Sequence, residues 1–313
     1  MQVLIFLHFR FLEKRDLDPI KGKSMNEKVY PMILNLCDEP SFTGVGSLSE
    51  YIEQCKQNLE IAGLPFSCEI KGIRIGAETC GQLYSSLKKE TLMDLSHKAR
   101  EKNLSVSLVT PVFEQTRWEK AKQLTGEILT CQGADQLVVN DFGMFEYLEN
   151  RRERKESCQA KILLGRLFDK RFRDPRFDLS ASNTEEGIWD TPAFRELCKR
   201  EKITGAECEL LDNGFQIPDK SLPFYVHMPY TLVSQGNICE YSGIGLEENL
   251  RFKPGNCKKQ CLFVTGRARH SVLKKMVYKH GNGLYMRGHL TKRNLECMQK
   301  GNITLIYTDY ERR

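Results

Sequence analysis

The 313 residues carry 47 Lys and Arg against 41 Asp and Glu, a formal net charge of +6, with 40% hydrophobic residues, 28% charged residues and 11 prolines. That is the composition of a folded globular chain with ample core, neither disordered nor collagen-like, and no apolar run approaches the length of a membrane-spanning helix. The twelve cysteines exceed ordinary usage yet are too few for a secreted disulfide scaffold, which points to a reducing, cytoplasmic setting.

The chain opens on a short apolar run, Val3-Leu4-Ile5-Phe6-Leu7, followed by Arg10, Lys14 and Arg15 with no small-residue cleavage site. Residues 1–24 therefore read as a disordered extension rather than a leader, and 25–313 as one domain. From Val29 onward short β-rich runs alternate with longer stretches of helical spacing. Predicted strands are Val29–Leu36, Ile70–Gly76, Leu104–Thr110, Gln136–Asn140, Ala160–Leu167, Ala206–Leu211, Pro223–Pro229 and Leu262–Thr265, with further candidates at Gly283–Met286 and Thr304–Tyr307. Between them, Leu48, Tyr51, Ile52, Cys55 and Leu59 recur at intervals of three and four, as do Leu87, Leu92, Leu95 and Ala99, then Trp118, Ala121 and Leu124, then Phe142, Phe145 and Leu148. These stripes are core faces of helices.

Runs such as Leu137-Val138-Val139 are apolar without alternation, as expected for strands covered on both faces in a parallel sheet. About eight such βα units predict an α/β fold, a TIM-like (β/α) barrel of irregular form. Chemistry in that fold sits where strands end and βα loops begin. The rule singles out Cys37, the Gly76–Cys80 turn, Thr110-Pro111, Asn140-Asp141, Gly165-Arg166 and His227-Met228.

Three late cysteines, Cys239, Cys257 and Cys261, form a C-x17-C-x3-C set in a polar, glycine-containing stretch that includes Gly243 and Gly245. Soft thiolates bind zinc and iron-sulfur clusters, and a held cluster normally takes four of them. A fourth ligand is needed. Cys55 and Cys198 lie on apolar helix stripes, Cys68 approaches a strand and Cys131 ends a helix, which makes each a small buried hydrophobe. Cys80, just past a predicted strand on the functional rim, is the leading candidate, with Cys37 on the same rim as its rival.

Cys80, the segment Leu137-Val138-Val139-Asn140-Asp141-Phe142-Gly143, Leu164-Gly165-Arg166-Leu167, His227-Met228-Pro229-Tyr230 and the late cysteines together resemble the collagenase-like peptidase family of unknown catalytic type (peptidase U thirty-two), most nearly its iron-sulfur oxygen-independent ubiquinone-hydroxylation branch. The resemblance runs from about residue 29 to 310 in order of elements. It implies a [4Fe-4S] cluster held by Cys80, Cys239, Cys257 and Cys261 in a loop at the C-terminal face of the barrel. It also implies a part in oxygen-independent hydroxylation, or a related redox modification, of a quinone precursor or an RNA base. A second, similar barrel subunit or a further copy of the chain is the implied partner. A tetrathiolate zinc site is the alternative, although structural zinc usually uses two close cysteine pairs and this set has only one.

Some family members draw on prephenate, a dicarboxylate, and Arg166, Arg171, Arg173 and Arg176 are candidates to clamp such a small anionic substrate. Basic runs at 151–155, at 170–176 and from Arg267 to Lys279 are solvated faces or a surface for an anionic partner such as RNA. His227 and Asp141, both at strand ends, are candidate acid–base groups; a satisfied core histidine and a helix N-cap are their plainer roles. The family's name raises a peptidase-type hydrolase, and a non-catalytic subunit with a structural cluster is a further alternative. No H-E-x-x-H, G-x-S-x-G, G-x-G-x-x-G after a strand, P-loop or C-x3-C-x2-C occurs, which argues against the corresponding metalloprotease, esterase, dinucleotide, phosphate-binding and radical chemistries.

Overall fold

The structure is a computed structural model that describes residues 28–37, 47–62, 64–156, 159–169, 189, 191–211, 222–236, 239–243, 247, 257–262, 266–269 and 275–309. Eight parallel strands close into a barrel: β1 (Val29–Asn35), β2 (Ser67–Gly76), β3 (Ser105–Thr110), β4 (Gln136–Val139), β5 (Lys161–Leu164), β6 (Ile203–Glu209), β7 (Phe224–Met228) and, last in the chain, β12 (Ile303–Tyr307), which pairs with both β1 and β7. The (β/α) barrel expected from the alternating pattern is the fold observed.

Helices follow the strands where the apolar stripes fall. They are α1 (Leu48–Ala62), the short α2 (Gly81–Tyr84), α3 (Lys89–Arg100), α4 (Gln115–Thr130), α5 (Phe142–Glu153), α6 (Pro192–Glu201) and α7 (Lys292–Lys300). Thr191 accepts the Phe194 N–H, and Pro192 opens α6 where its missing N–H costs nothing. At α7, Thr291 and Asn294 satisfy each other's backbone amides in a capping box. No described helix is long and apolar enough to cross a membrane.

Because successive strand residues point to opposite faces, each strand has two destinations. Met32 and Leu34, Ile73 and Ile75, Leu137 and Val139, and Ile162 and Leu164 join one large cluster with helix residues such as Leu92, Ile128, Phe145 and Leu148. The alternate set, Ile33, Val109, Val138, Leu163, Tyr225 and Ile306, forms a separate cluster inside the barrel. One step toward the strand C-termini, the same inward parity delivers Asn35, Arg74, Glu207, Glu209 and His227. All five are buried. The middle of the barrel is thus apolar and its C-terminal mouth is ionic.

Between β7 and β12 the chain leaves the barrel to build a second sheet of order β8-β11-β10-β9, from β8 (Tyr230–Gln235), β9 (Gly266–Arg269), β10 (Met276–His280) and β11 (Gly283–Arg287), all antiparallel. This sheet replaces the simpler expectation in two places. The predicted strand Leu262–Thr265 begins in a 3-10 turn at Gln260–Leu262, and 263–265 lie outside the described residues; Gly283–Met286 is a strand, but of the second sheet. Residues 1–24 also lie outside the described residues. The β10–β11 hairpin turns on Gly281-Asn282, with Gly281 at φ +56, a left-handed conformation that glycine adopts without a side-chain clash.

Three strand ends on the mouth are fastened by one carboxamide. Asn140 donates to the Thr110 carbonyl at 3.0 Å and accepts the Leu167 N–H at 3.0 Å. It lies so close to Gly165 that a β-carbon there would collide with it. Gly165→Ala should therefore destabilise the chain by about 2 kcal/mol through overpacking, measured as a lower urea midpoint at unchanged slope; an unaltered midpoint would show that Asn140 has room to move.

Candidate functional site

The mouth is built from the inward positions of β1, β2, β6 and β7 and from the loops that follow β2 and β5. Gly76, at φ +112, sits against the Val109 backbone where no side chain fits. The turn it allows lets Ala77 N–H reach Val109 O at 3.2 Å and brings Glu78 into the barrel. There Glu78 accepts from Arg74 Nη1 at 2.7 Å, Asn35 Nδ2 at 3.0 Å and Arg166 Nη1 at 3.1 Å. Asn35 also donates to Thr308 Oγ1 at 3.0 Å, which ties β1 to the end of β12.

Arg166 grips Glu209 bidentately, Nε to Oε1 and Nη2 to Oε2, both at 2.7 Å, and Nη2 also reaches the Tyr230 carbonyl at 3.1 Å. Its guanidinium carbon lies 5.6 Å from the centre of the Tyr285 ring. Arg74 Nη2 stands 2.7 Å from Glu207 Oε1, an ion pair out of line for a hydrogen bond. The other oxygen of Glu207 accepts the Arg166 backbone N–H at 3.2 Å and faces His227 Nε2 at 3.0 Å. Arg74, Arg166, Glu78, Glu207, Glu209 and His227 are each no more than 2% exposed.

Electrostatics differentiates the members of this set. Burial raises the Glu207 carboxyl, Arg74 pulls it down and Glu78 pushes it up, leaving it at about 7. Burial also works against ionisation of Glu78, but Arg166 and Arg74 outweigh it and hold that carboxyl below its ordinary value. His227 is held neutral, well below the usual imidazole range, by burial and then by Arg166 and Arg74. Burial opposes the charge on Arg166, and Glu209 and Glu78 more than offset it.

The second sheet covers this mouth. Besides the Arg166–Tyr230 contact, Thr231 Oγ1 donates to Leu210 O at 2.7 Å beyond β6, and Leu167 packs on the sheet's cluster of Tyr230, Leu232, Tyr278 and Tyr285. Thr79 O accepts from Gln235 Nε2 at 2.8 Å and from Asn282 Nδ2 at 2.9 Å, and Asn282 also reaches Gly236 O at 2.8 Å. The residue before Cys80 is thereby fastened to Gln235, the end of β8, four residues before Cys239.

The cysteine set gathers on this sheet. Cys239 leads into a 3-10 turn at Glu240–Gly243, which packs against the turn at Gln260–Leu262 that contains Cys261. Tyr241 lies within electrostatic range of both Cys239 and Cys261, and its hydroxyl is fixed by Lys279 O and Gly266 N–H, each at 2.6 Å. Cys257 is close enough to Cys239 to disfavour a second thiolate there; burial is the larger cause of the raised Cys239 thiol, with the Ser242 and Tyr241 amides acting the other way. Cys80 caps α2 by accepting the Leu83 N–H at 3.4 Å, and Cys257 accepts the Lys259 N–H at 3.4 Å. Amide donors aimed at sulfur stabilise thiolate and tune any metal bound to it.

Among the described residues no group of three or more His, Cys, Asp or Glu side chains is arranged to hold a metal ion. That bears on a mononuclear site such as zinc, whose ligands must converge on one point. The ligands of a four-iron cluster bind different irons and are held further apart. Cysteine donors with backbone N–H groups at the sulfurs of Cys80 and Cys257 are chemically suited to such a cluster. Cys37, the rival ligand, is buried beside the inner apolar cluster, within electrostatic range of Arg74 and Tyr84.

The other expected site residues divide. His227 stands in the ionic mouth. The Arg166 guanidinium engages two protein carboxylates and the Tyr230 carbonyl. Asp141 caps α5 through Gly143 N–H at 2.8 Å and accepts the Phe113 N–H at 2.8 Å, so both oxygens serve the backbone. Arg171, Arg173 and Arg176 lie outside the described residues, as does Gly245. Arg74, Glu207 and Glu209 were not expected, and Glu78 was covered only as part of the Gly76–Cys80 turn, yet the alternation Ala206-Glu207-Cys208-Glu209-Leu210 places two carboxylates on one face of a strand and was the available signal. A shallow depression of about 330 Å³, lined by residues including Lys89, Glu127, Tyr147 and Arg151, lies on the outer helices away from the mouth.

No family model matches the chain, and no curated protein does. Among solved structures it is similar to the spore cortex-lytic enzyme SleL of Bacillus megaterium (9% identity over 91% of this chain and 72% of that one, TM-score 0.38). It is also similar to the C-terminal domain of a protein described as a chitinase from Desulfitobacterium hafniense (9%, 90% and 93%, TM-score 0.41). A third is a GH18 chitinase of Cycas revoluta in complex with (GlcNAc)4 (9%, 76% and 87%, TM-score 0.33). Likenesses this distant carry no argument about chemistry, and the barrel stands on its own strand order.

Two consequences are measurable. Since its folded value lies above the unfolded one near 4.5, Glu207 contributes stability that is fully present below about 4.5 and lost as pH rises through about 7. Glu207→Gln, which cannot ionise, should therefore gain on the parent chain by about 3 kcal/mol between pH 5 and pH 8, read from urea midpoints; a constant difference would mean that Glu207 is ionised throughout. Asp141→Ala should cost about 1 kcal/mol as a lost cap, by thermal unfolding.

Proposed function

We propose that the chain is a cysteine-ligated [4Fe-4S] barrel protein with Cys80, Cys239, Cys257 and Cys261 as ligands, acting in an oxygen-independent hydroxylation or related redox modification of a quinone precursor or RNA base. The observation that carries this reading is the fastening of Thr79, next to Cys80, onto Gln235 and Asn282 at the root of the segment that gathers Cys239, Cys257 and Cys261. Thiolates are soft ligands, and these carry backbone N–H donors at sulfur. When bound, the cluster supplies electron transfer.

The chain's own residues hold and enclose. Tyr241 pins the segment between Cys239 and Cys261 to β9 and β10. The second sheet shields the mouth from water, and Arg74 and Arg166 supply its positive charge. The redox assignment, a cytoplasmic setting and a second barrel subunit rest on the family resemblance and on cysteine usage. A second reading, hydrolysis, draws on one observation: Glu207, at about 7, beside a neutral His227 is an acid–base pairing in a barrel mouth.

Anaerobic purification with iron and sulfide analysis tests the first reading. A coloured protein with four irons and matching sulfide per chain is expected, and Cys80→Ala should lose iron as fully as Cys257→Ala. A colourless chain with stoichiometric zinc would defeat it, and unchanged iron in Cys80→Ala with loss in Cys37→Ser would transfer the fourth position to Cys37. Cleavage of gelatin by cluster-free protein would favour hydrolysis instead.

A further inference from the structure

The six ionisable groups of the mouth do not sum to zero charge unless one extra proton is present. Arg74 and Arg166 contribute two positive charges; Glu78, Glu207 and Glu209 contribute three carboxyls, and His227 is the sixth member. With the imidazole neutral and every carboxyl ionised, the set carries a net negative charge in a region closed to water. A buried uncompensated charge is costly, and a single proton removes it.

The contacts say where that proton can reside. Glu209 is bound bidentately by Arg166, and Glu78 takes donors from Arg74, Arg166 and Asn35, so both are fixed as acceptors. Glu207 differs: Oε1 pairs with Arg74, while Oε2 meets His227 Nε2 at 3.0 Å. Nδ1 of His227, fully buried, makes no hydrogen bond, and Glu78 Oε1 stands 3.8 Å from it. Around the pair stand Tyr225 on β7, within electrostatic range of Glu207, Cys37 near Arg74, and Tyr285 over Arg166. Asp169 lies beyond Glu209, accepting its N–H at 2.9 Å and the Trp189 indole N–H at 3.2 Å.

We propose that Glu207 and His227 together bind one transferable proton, forming an enclosed acid–base site at the barrel mouth. With the proton on Glu207, the carboxylic acid donates to Nε2 and the ring carries its hydrogen on Nδ1. With the proton moved across, the imidazolium donates to the carboxylate. No atom is gained or lost and the set stays neutral in both forms, so transfer over 3.0 Å involves no change in buried net charge. The raised carboxyl and the depressed imidazole both favour the form with the proton on Glu207, and two groups so coupled titrate as a unit. The site stands whether or not the cysteines hold a cluster.

The test is an NMR titration of the full chain, without and with cluster reconstitution, using nitrogen-labelled histidine and carboxyl-labelled glutamate. The Glu207 carboxyl and the His227 ring nitrogens are expected to shift together in one step near neutrality, and the ring step should vanish in Glu207→Gln. Glu207→Asp, which keeps a carboxyl, should retain a coupled step and serves if the glutamine variant does not fold. A Glu207 carboxyl ionised across the whole range, or a His227 step that persists unchanged in Glu207→Gln, would overturn the proposal.

Discussion

Arg166 is the residue on which the architecture of the mouth depends. From the end of β5 its guanidinium holds Glu209 of β6, Glu78 from the β2 loop and the first carbonyl of the second sheet. No other described side chain in the mouth joins two barrel strands, a βα loop and the covering sheet at once. Its burial makes the arrangement all-or-none: a paired charge in a closed interior is tolerated, whereas a missing partner leaves a charge that the protein cannot solvate. Glu207 and His227 take their character from this constraint, because burial first, and then the guanidiniums that satisfy Glu78 and Glu209, keep the imidazole uncharged.

The barrel and the second sheet serve different ends. The inner apolar layer of Ile33, Val109, Val138, Leu163 and Ile306 is ordinary barrel packing, and it excludes water from below. The sheet excludes water from above and carries the late cysteines. Between them lies a thin polar layer whose geometry is set from both sides. This places the ionic set and the thiols on the same face of the fold without making either part of the other.

Much of this was legible in the sequence, and the limits have physical causes. Apolar runs such as Leu137-Val138-Val139 marked barrel strands because both faces of a parallel sheet are covered. Stripes through Leu92, Leu95 and Ala99 marked helices for the corresponding reason. Of the second sheet only Gly283–Met286 was legible as a strand, because β9 is four residues long, charged and largely exposed and the five residues of β10 do not alternate, although His280-Gly281-Asn282-Gly283 is a good hairpin signal. Asp141 illustrates another limit. A carboxylate at a strand end can serve chemistry or cap the next helix, and only the positions of Gly143 and Phe113 reveal that it caps. The ionic mouth was least legible, because the partners of Arg74 and Arg166 lie on strands and loops far apart in the chain and meet only when the barrel closes.

The second sheet leaves the barrel at Pro229 and returns at Gly288, where the Gly288 N–H donates to the Pro229 carbonyl at 2.7 Å. Its entrance and exit are therefore the same point in space. Topologically the excursion is an insertion into the β7–α7–β12 unit, and the strand order of the barrel would be the same without it. Sequence in this segment is accordingly free to lengthen or shorten without changing the order in which the eight strands meet. Cys239, Cys257 and Cys261 belong to the exchangeable part of the molecule, whereas Cys80, at the N-cap of α2, and the Glu207–His227 pair belong to the barrel itself.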